Sequence, residues 1–229
     1  MVQVKSKIGA EDLGGTGGLF EDFLGSAGAD LPSPWKIHDT STSGSPTTDY
    51  VSAGAGGLFR LANDSTSEAQ NLALYWGDNI AIAPTATPYM EARIRLNTAG
   101  AAFTADQRLV VGLAAARNAT LDSNASHVWF RIEGANLNIL IEGDDGVTDT
   151  NDTDTGIDYV DNEFLVLGID MTTLSAVKFY VDGVEVATTI DVSALLSDDG
   201  LQPYIEMQRD ANTEVETLDI DYVFVRSGR

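Results

Sequence analysis

The chain has 229 residues, with 13 Lys and Arg against 35 Asp and Glu, for a formal charge of −22. A field of that sign repels phosphate backbones and anionic bilayers, which excludes nucleic acid and membrane surfaces as partners. There is no cysteine, so disulfides and thiolate chemistry are excluded too, while 43% hydrophobic residues suffice for one folded core.

Residues 1–18 come first. They carry Lys5 and Lys7, a glycine-rich run from Gly14 to Gly18, and scattered Val2, Val4, Ile8 and Leu13. That composition builds no core and reads as a flexible N-terminal arm ahead of a single domain, residues 19–229. The arm has no long apolar stretch and is not read as a secretion signal, nor does any run approach the ~18 apolar residues of a membrane span.

From Leu19 onward short apolar runs alternate with turn-rich segments. Leu19–Leu24 is the first expected strand, and the Ser/Thr/Gly-rich stretch 40–57 is expected to be a long loop. In Pro88–Leu96, Met90, Ala92, Ile94 and Leu96 alternate with Glu91, Arg93 and Arg95, the period of a half-buried strand. Arg108–Ala115, His127–Glu133, Leu137–Glu142, Glu163–Asp170 and Ala176–Val181 follow. Asp182-Gly183 between apolar flanks marks a tight hairpin. Leu201–Gln208 and Thr217–Val225 close the chain, the last expected to place Leu218, Ile220, Tyr222 and Phe224 on one face. Helical periodicity is nearly absent, so the expected fold is all-β: a jelly-roll sandwich of two antiparallel sheets with an extended N-terminal arm.

Several of these segments resemble concanavalin A-like lectin/glucanase jelly rolls. They are Leu19-Phe20-Glu21-Asp22-Phe23, Tyr89-Met90-Glu91-Ala92-Arg93-Ile94, the hairpin Val177–Val186 and the closing strand Glu216–Val223. The resemblance implies the fold and no particular activity. A Gly-rich arm before one acidic, Cys-free jelly roll also resembles the decoration (cement) proteins of tailed-phage capsids. That likeness implies a virion structural protein on the capsid surface, forming a homo-oligomer (trimer or dimer) and binding the major capsid protein. Val2, Val4, Lys5, Lys7, Ile8 and Leu13 would then contact neighbouring subunits. The alternative is a carbohydrate-binding module or receptor-binding tail component of the same fold, with Tyr75 and Trp76 as its glycan platform.

Catalysis finds little footing. Glycoside hydrolysis needs two facing carboxylates, which the resembling glucanases supply from Glu-x-Asp-x-Glu on one strand. This chain has only Glu214/Glu216 and Asp219/Asp221, and the latter pair reads as a solvated outer face. His38 and His127 are the only histidines, and His127 lies inside a strand. Nucleophile-elbow, P-loop and zinc spacings are all missing, so the chain is not expected to be an enzyme. No organic cofactor is implied. Between Arg131 and Lys178 there are no basic residues and many acidic ones. This interval reads either as a self-repelling loop or as a Ca²⁺ site drawing on Asp144, Asp145, Asp149 and Asp152.

Overall fold

A computed structural model describes residues 17–51, 57–98, 103–196 and 200–228. Among the described residues there are fifteen strands and three single-turn 3₁₀ helices. The strands are β1 (Gly17–Glu21), β2 (Lys36–Asp39), β3 (Thr47–Tyr50), β4 (Phe59–Ala62), β5 (Glu68–Tyr75), β6 (Tyr89–Asn97), β7 (Gln107–Ala114) and β8 (His127–Glu133). Then follow β9 (Asn138–Asp144), β10 (Asp149–Asp158), β11 (Phe164–Asp170), β12 (Lys178–Val181), β13 (Val184–Glu185), β14 (Gln202–Asn212) and β15 (Thr217–Ser227).

They form two antiparallel sheets packed face to face. The first runs β13-β12-β11-β6-β15-β4-β3, and the second β10-β9-β8-β7-β14-β5-β2. β15 is the hub of the first sheet. One side pairs with β6 throughout; the other pairs with β4 over Thr217–Ile220 and with β1 over Val223–Ser227. β1 includes Gly17 and Gly18, which the composition assigns to the arm; the rest of that arm, with all six of its candidate contact residues, lies outside the described residues.

The alternation read from β6 is what buries it. Met90, Ala92, Ile94 and Leu96 are all within 1% of full burial, while Glu91, Arg93 and Arg95 face outward. Each such Ile or Leu stabilises the sandwich by roughly 1.5–3 kcal/mol. Phe130 of β8 and Phe179 of β12 meet edge to face at 5.2 Å, joining the sheets through the core. Asp182 and Gly183 adopt φ of 50° and 77°, the left-handed pair that a two-residue hairpin turn requires.

Three expectations need correction. The stretch 40–57 contains β3, which pairs with β4. Asp149–Asp158 is an edge strand and not a loop. Its Thr153, Thr155 and Ile157 turn inward between exposed Asp154, Gly156 and Asp158, so the period-2 signal was present but carried by threonines. In β15 a register shift between Ile220 and Tyr222 inserts a bulge, which flips the face of every later side chain. Val223 and Val225 are therefore the buried residues, and Tyr222 and Phe224 point outward.

Candidate functional site

The outer face of the second sheet carries a second, smaller apolar cluster. Registers align Tyr75 of β5, Tyr204 of β14, Gly112 of β7, Trp129 of β8 and Glu142 of β9 in one row across five strands. Gly112 makes the row possible. A Cβ there would lie 2.5 Å from Trp129 Cα and 2.6 Å from its Cβ, so only glycine lets the indole cross β7 and reach Tyr204 at 6.2 Å between ring centroids. Trp129 is fully buried on the side of its sheet that faces away from the sandwich core. His127 stacks on it at 3.7 Å, and burial lowers the His127 pKa.

The connection between β7 and β8 folds over this row. Leu121 packs on Val110, Ala114, Trp129 and Tyr204. Arg117 reaches Glu206 of β14 at 3.1 Å, and its backbone N–H donates to Asp78 at 2.7 Å. Tyr204 donates to the same Glu206, and burial raises the tyrosine's pKa. The β7–β8 connection thus seals the middle of the outer face, leaving a cavity beside it over β7–β10.

That cavity has a volume of about 430 Å³ and is lined by Ala105, Arg108, Asp122, Arg131, Glu133, Gly134, Asp149, Asn151 and Asp152. Arg131 is its anchor: 5% exposed, it donates to Asp122 at 2.6 Å, Glu142 at 3.1 Å and Glu133 at 2.6 Å. Beneath lies Glu142, 1% exposed, which also accepts the Trp129 indole N–H at 2.5 Å. Burial pushes Glu142 up to about 7, against the opposing pull of Arg131, and a hydrogen bond with Asp152 raises it further. β10 presents its polar side chains to the cavity through a bulge between Thr150 and Thr153, where Asp152 takes a left-handed φ of 47°.

Of the residues singled out in the sequence, Asp149 and Asp152 line this cavity, whereas Asp144 and Asp145 do not. Asp145 turns to the backbone N–H groups of Val147, Thr148 and Ala194, and Asp144 to that of Gly146. Among the described residues no group of three or more His, Asp or Glu side chains is arranged to hold a metal ion. Tyr75 and Trp76 diverge: Tyr75 meets Tyr204 on the outer face, while Trp76 packs edge-on against Trp35 at 6.1 Å beside the core. They do not form one platform. Asp219 is not solvated; it is 2% exposed and clamped by Arg60 at 2.7 Å and Arg95 at 2.6 Å, while Asp221 pairs with Arg93. Glu216 is buried against Gln107 at the edge of the sandwich, and burial pushes its pKa up to about 7, whereas Glu214 is exposed. The cavity was missed because its residues come from three strands and the connections between β6 and β9, each unremarkable in isolation; Arg131, the single cation before a long acidic interval, was the available signal.

No family model matches the chain, and no curated protein matches it. Solved structures do. A Shewanella oneidensis protein of unknown function superposes with a TM-score of 0.66 at 14% identity, covering 93% of this chain and 86% of its own. The carbohydrate recognition domain of Emp47p gives 0.61 at 12%, covering 93% and 95%. The cellulose induced protein Cip1 gives 0.54 at 12%, covering 90% and 96%. No helix among the described residues is long and apolar enough to cross a membrane. The chain has the lectin-like jelly-roll fold, an all-β sandwich of the concanavalin A-like kind.

Proposed function

We propose that the chain is a glycan-recognition domain whose ligand enters the polar cavity over β7–β10. The observation that carries this reading is the cavity itself: about 430 Å³, walled by carboxylates, an amide and two guanidinium groups. Sugar hydroxyls each donate and accept, and planar Asp, Asn and Arg side chains bind neighbouring hydroxyls in pairs. The triple anchoring of Arg131 fixes Asp122 and Glu133 before a ligand arrives, which lowers the ordering cost of binding. The fold is shared with a carbohydrate recognition domain, which supports the same reading. The virion role suggested by the arm draws no support from these neighbours or from the described residues.

A glycan array with the whole chain, run with Ca²⁺ and with chelator, tests this. Binding is expected on at least one glycan, and titration calorimetry with that glycan should show at least a tenfold weaker Kd for Asp122→Ala and Asp152→Ala. A silent array in both buffers, or undiminished affinity in both folded variants, would overturn the reading.

A further inference from the structure

The outer face of the first sheet, on the other side of the molecule, carries a different arrangement. The bulge in β15 turns Tyr222 and Phe224 outward, beside Phe20 of β1 and Tyr89 of β6. Phe20 lies 5.5 Å from Tyr222, and Phe224 lies 6.2 Å from Tyr89. Both tyrosine hydroxyls donate to Glu91, at 2.6 Å from Tyr222 and 2.8 Å from Tyr89, one to each carboxylate oxygen. The carboxylate therefore holds the two phenol rings in fixed positions. Registers place Phe20, Phe224, Glu91, Gly168 and Tyr180 in one row across β1, β15, β6, β11 and β12. Gly168 lies buried in that row beside the Tyr89 hydroxyl; a Cβ there would stand 3.2 Å from that hydroxyl and 3.4 Å from Tyr180 Cβ.

We infer that this row is a second binding surface, separate from the cavity, and that its occupant is a neutral glycan chain lying across the strands. Two arguments select that occupant. The first is charge: beside this row Asp219 is matched by Arg60 and Arg95, and Asp221 by Arg93, while Glu91 within it accepts from two tyrosine hydroxyls. The row needs no cationic partner. The second is size. Five strands at the usual spacing span about 19 Å, and the row is one side chain wide, so its apolar area is on the order of 200 Å² or less. A stable homodimer interface needs roughly 800 Å² from each partner. A narrow row of aromatic rings with a hydrogen-bonding carboxylate at its centre suits a ligand one sugar wide. Its pyranose C–H faces would stack on Phe20, Phe224 and Tyr180, and its hydroxyls would donate to Glu91 over Gly168.

Electrophoresis of the native chain through gels cast with laminarin, xyloglucan, galactomannan or hydroxyethylcellulose tests the inference. Wild type should be retarded in at least one gel. Phe20→Ala/Phe224→Ala should migrate as in a gel without polysaccharide, whereas the cavity variant Asp122→Ala should be retarded like wild type. Gly168→Val keeps Phe20 and Phe224 and pushes a strand-compatible side chain against Tyr89 and Tyr180 in the middle of the row, so it should also lose retardation even if the double variant is unstable. Three results would overturn the inference: no retardation of wild type in any gel, undiminished retardation of folded row variants, or a concentration-dependent dimer in light scattering that the same substitutions abolish. The first leaves the cavity reading intact, because that reading stands on Asp122 and Asp152.

Discussion

Glu142→Gln is the most informative single change, because it neutralises the charge beneath the cavity while keeping an acceptor for Trp129 and Arg131. The side chain is 1% exposed, and its pKa rises from 4.5 to about 7 in the fold. A folded-state pKa above the unfolded one means that the native state binds the proton more tightly, so this contribution is fully present below about pH 4.5. It is lost as pH rises through 7. At ~1.4 kcal/mol per pKa unit the full effect is about 3 kcal/mol, and water entering through the adjacent cavity reduces it toward about 1–2 kcal/mol. Urea titrations of both proteins at half-unit steps from pH 5 to 8 measure it. The wild-type curve should fall relative to the variant by that amount, with the steepest divergence between the two pKa values, at about pH 5 to 6.5, flattening above pH 7. The large background charge affects both proteins almost equally and cancels in the difference. Parallel curves would show that Glu142 is ionised throughout, and that Arg131 outweighs burial.

Gly112→Ala should cost more than 3 kcal/mol in denaturant unfolding, since the new methyl meets the β8 backbone, which cannot retreat without breaking the ladder; the Trp129 emission should shift to the red as the indole leaves Tyr204. Arg209 is fully buried and donates to the carbonyls of Asp64, Thr66, Glu68 and Glu214, so Arg209→Ala should cost about 3–5 kcal/mol. Limited proteolysis should then open the 64–68 and 212–216 connections first. Asp219→Asn should cost about 1–3 kcal/mol by stripping the charge that Arg60 and Arg95 share, and a loss near zero would mean that both arginines are satisfied by solvent.

The sheets were legible wherever one face is apolar and the other charged, as in β6, and wherever a turn has a fixed chemistry, as at Asp182-Gly183. Legibility failed where the inward residues are threonines, as in β10, and where an extra residue shifts the phase, as at Asp221 in β15. Neither failure is accidental for the sites: the β10 bulge aims Asp152 at the cavity, and the β15 bulge turns Tyr222 and Phe224 to the surface. The apolar cluster on the outer face of the second sheet was hidden for a different reason. Trp129, Tyr204 and Val110 look like ordinary core residues along the chain, and only the register across β14, β7 and β8 shows that a connecting segment buries them from outside. Pairwise spacing within one strand carries no information about which of two opposite faces a loop will cover.

The position of β15 has a consequence for biogenesis. Its residues touch β6, β4 and β1, and the pairing of Gly17 with Ser227 joins two strands far apart in the sequence. During synthesis the central gap of that sheet stays open, with β6 and β4 each lacking a neighbour on one side, until β15 has left the ribosome. Such long-range closure makes folding slow and leaves exposed edges vulnerable to wrong pairing in the interval. The same adjacency brings β1 and β15 side by side, so a short peptide could bridge them in a circular permutant reopened at Asp182-Gly183, where the hairpin turn faces solvent.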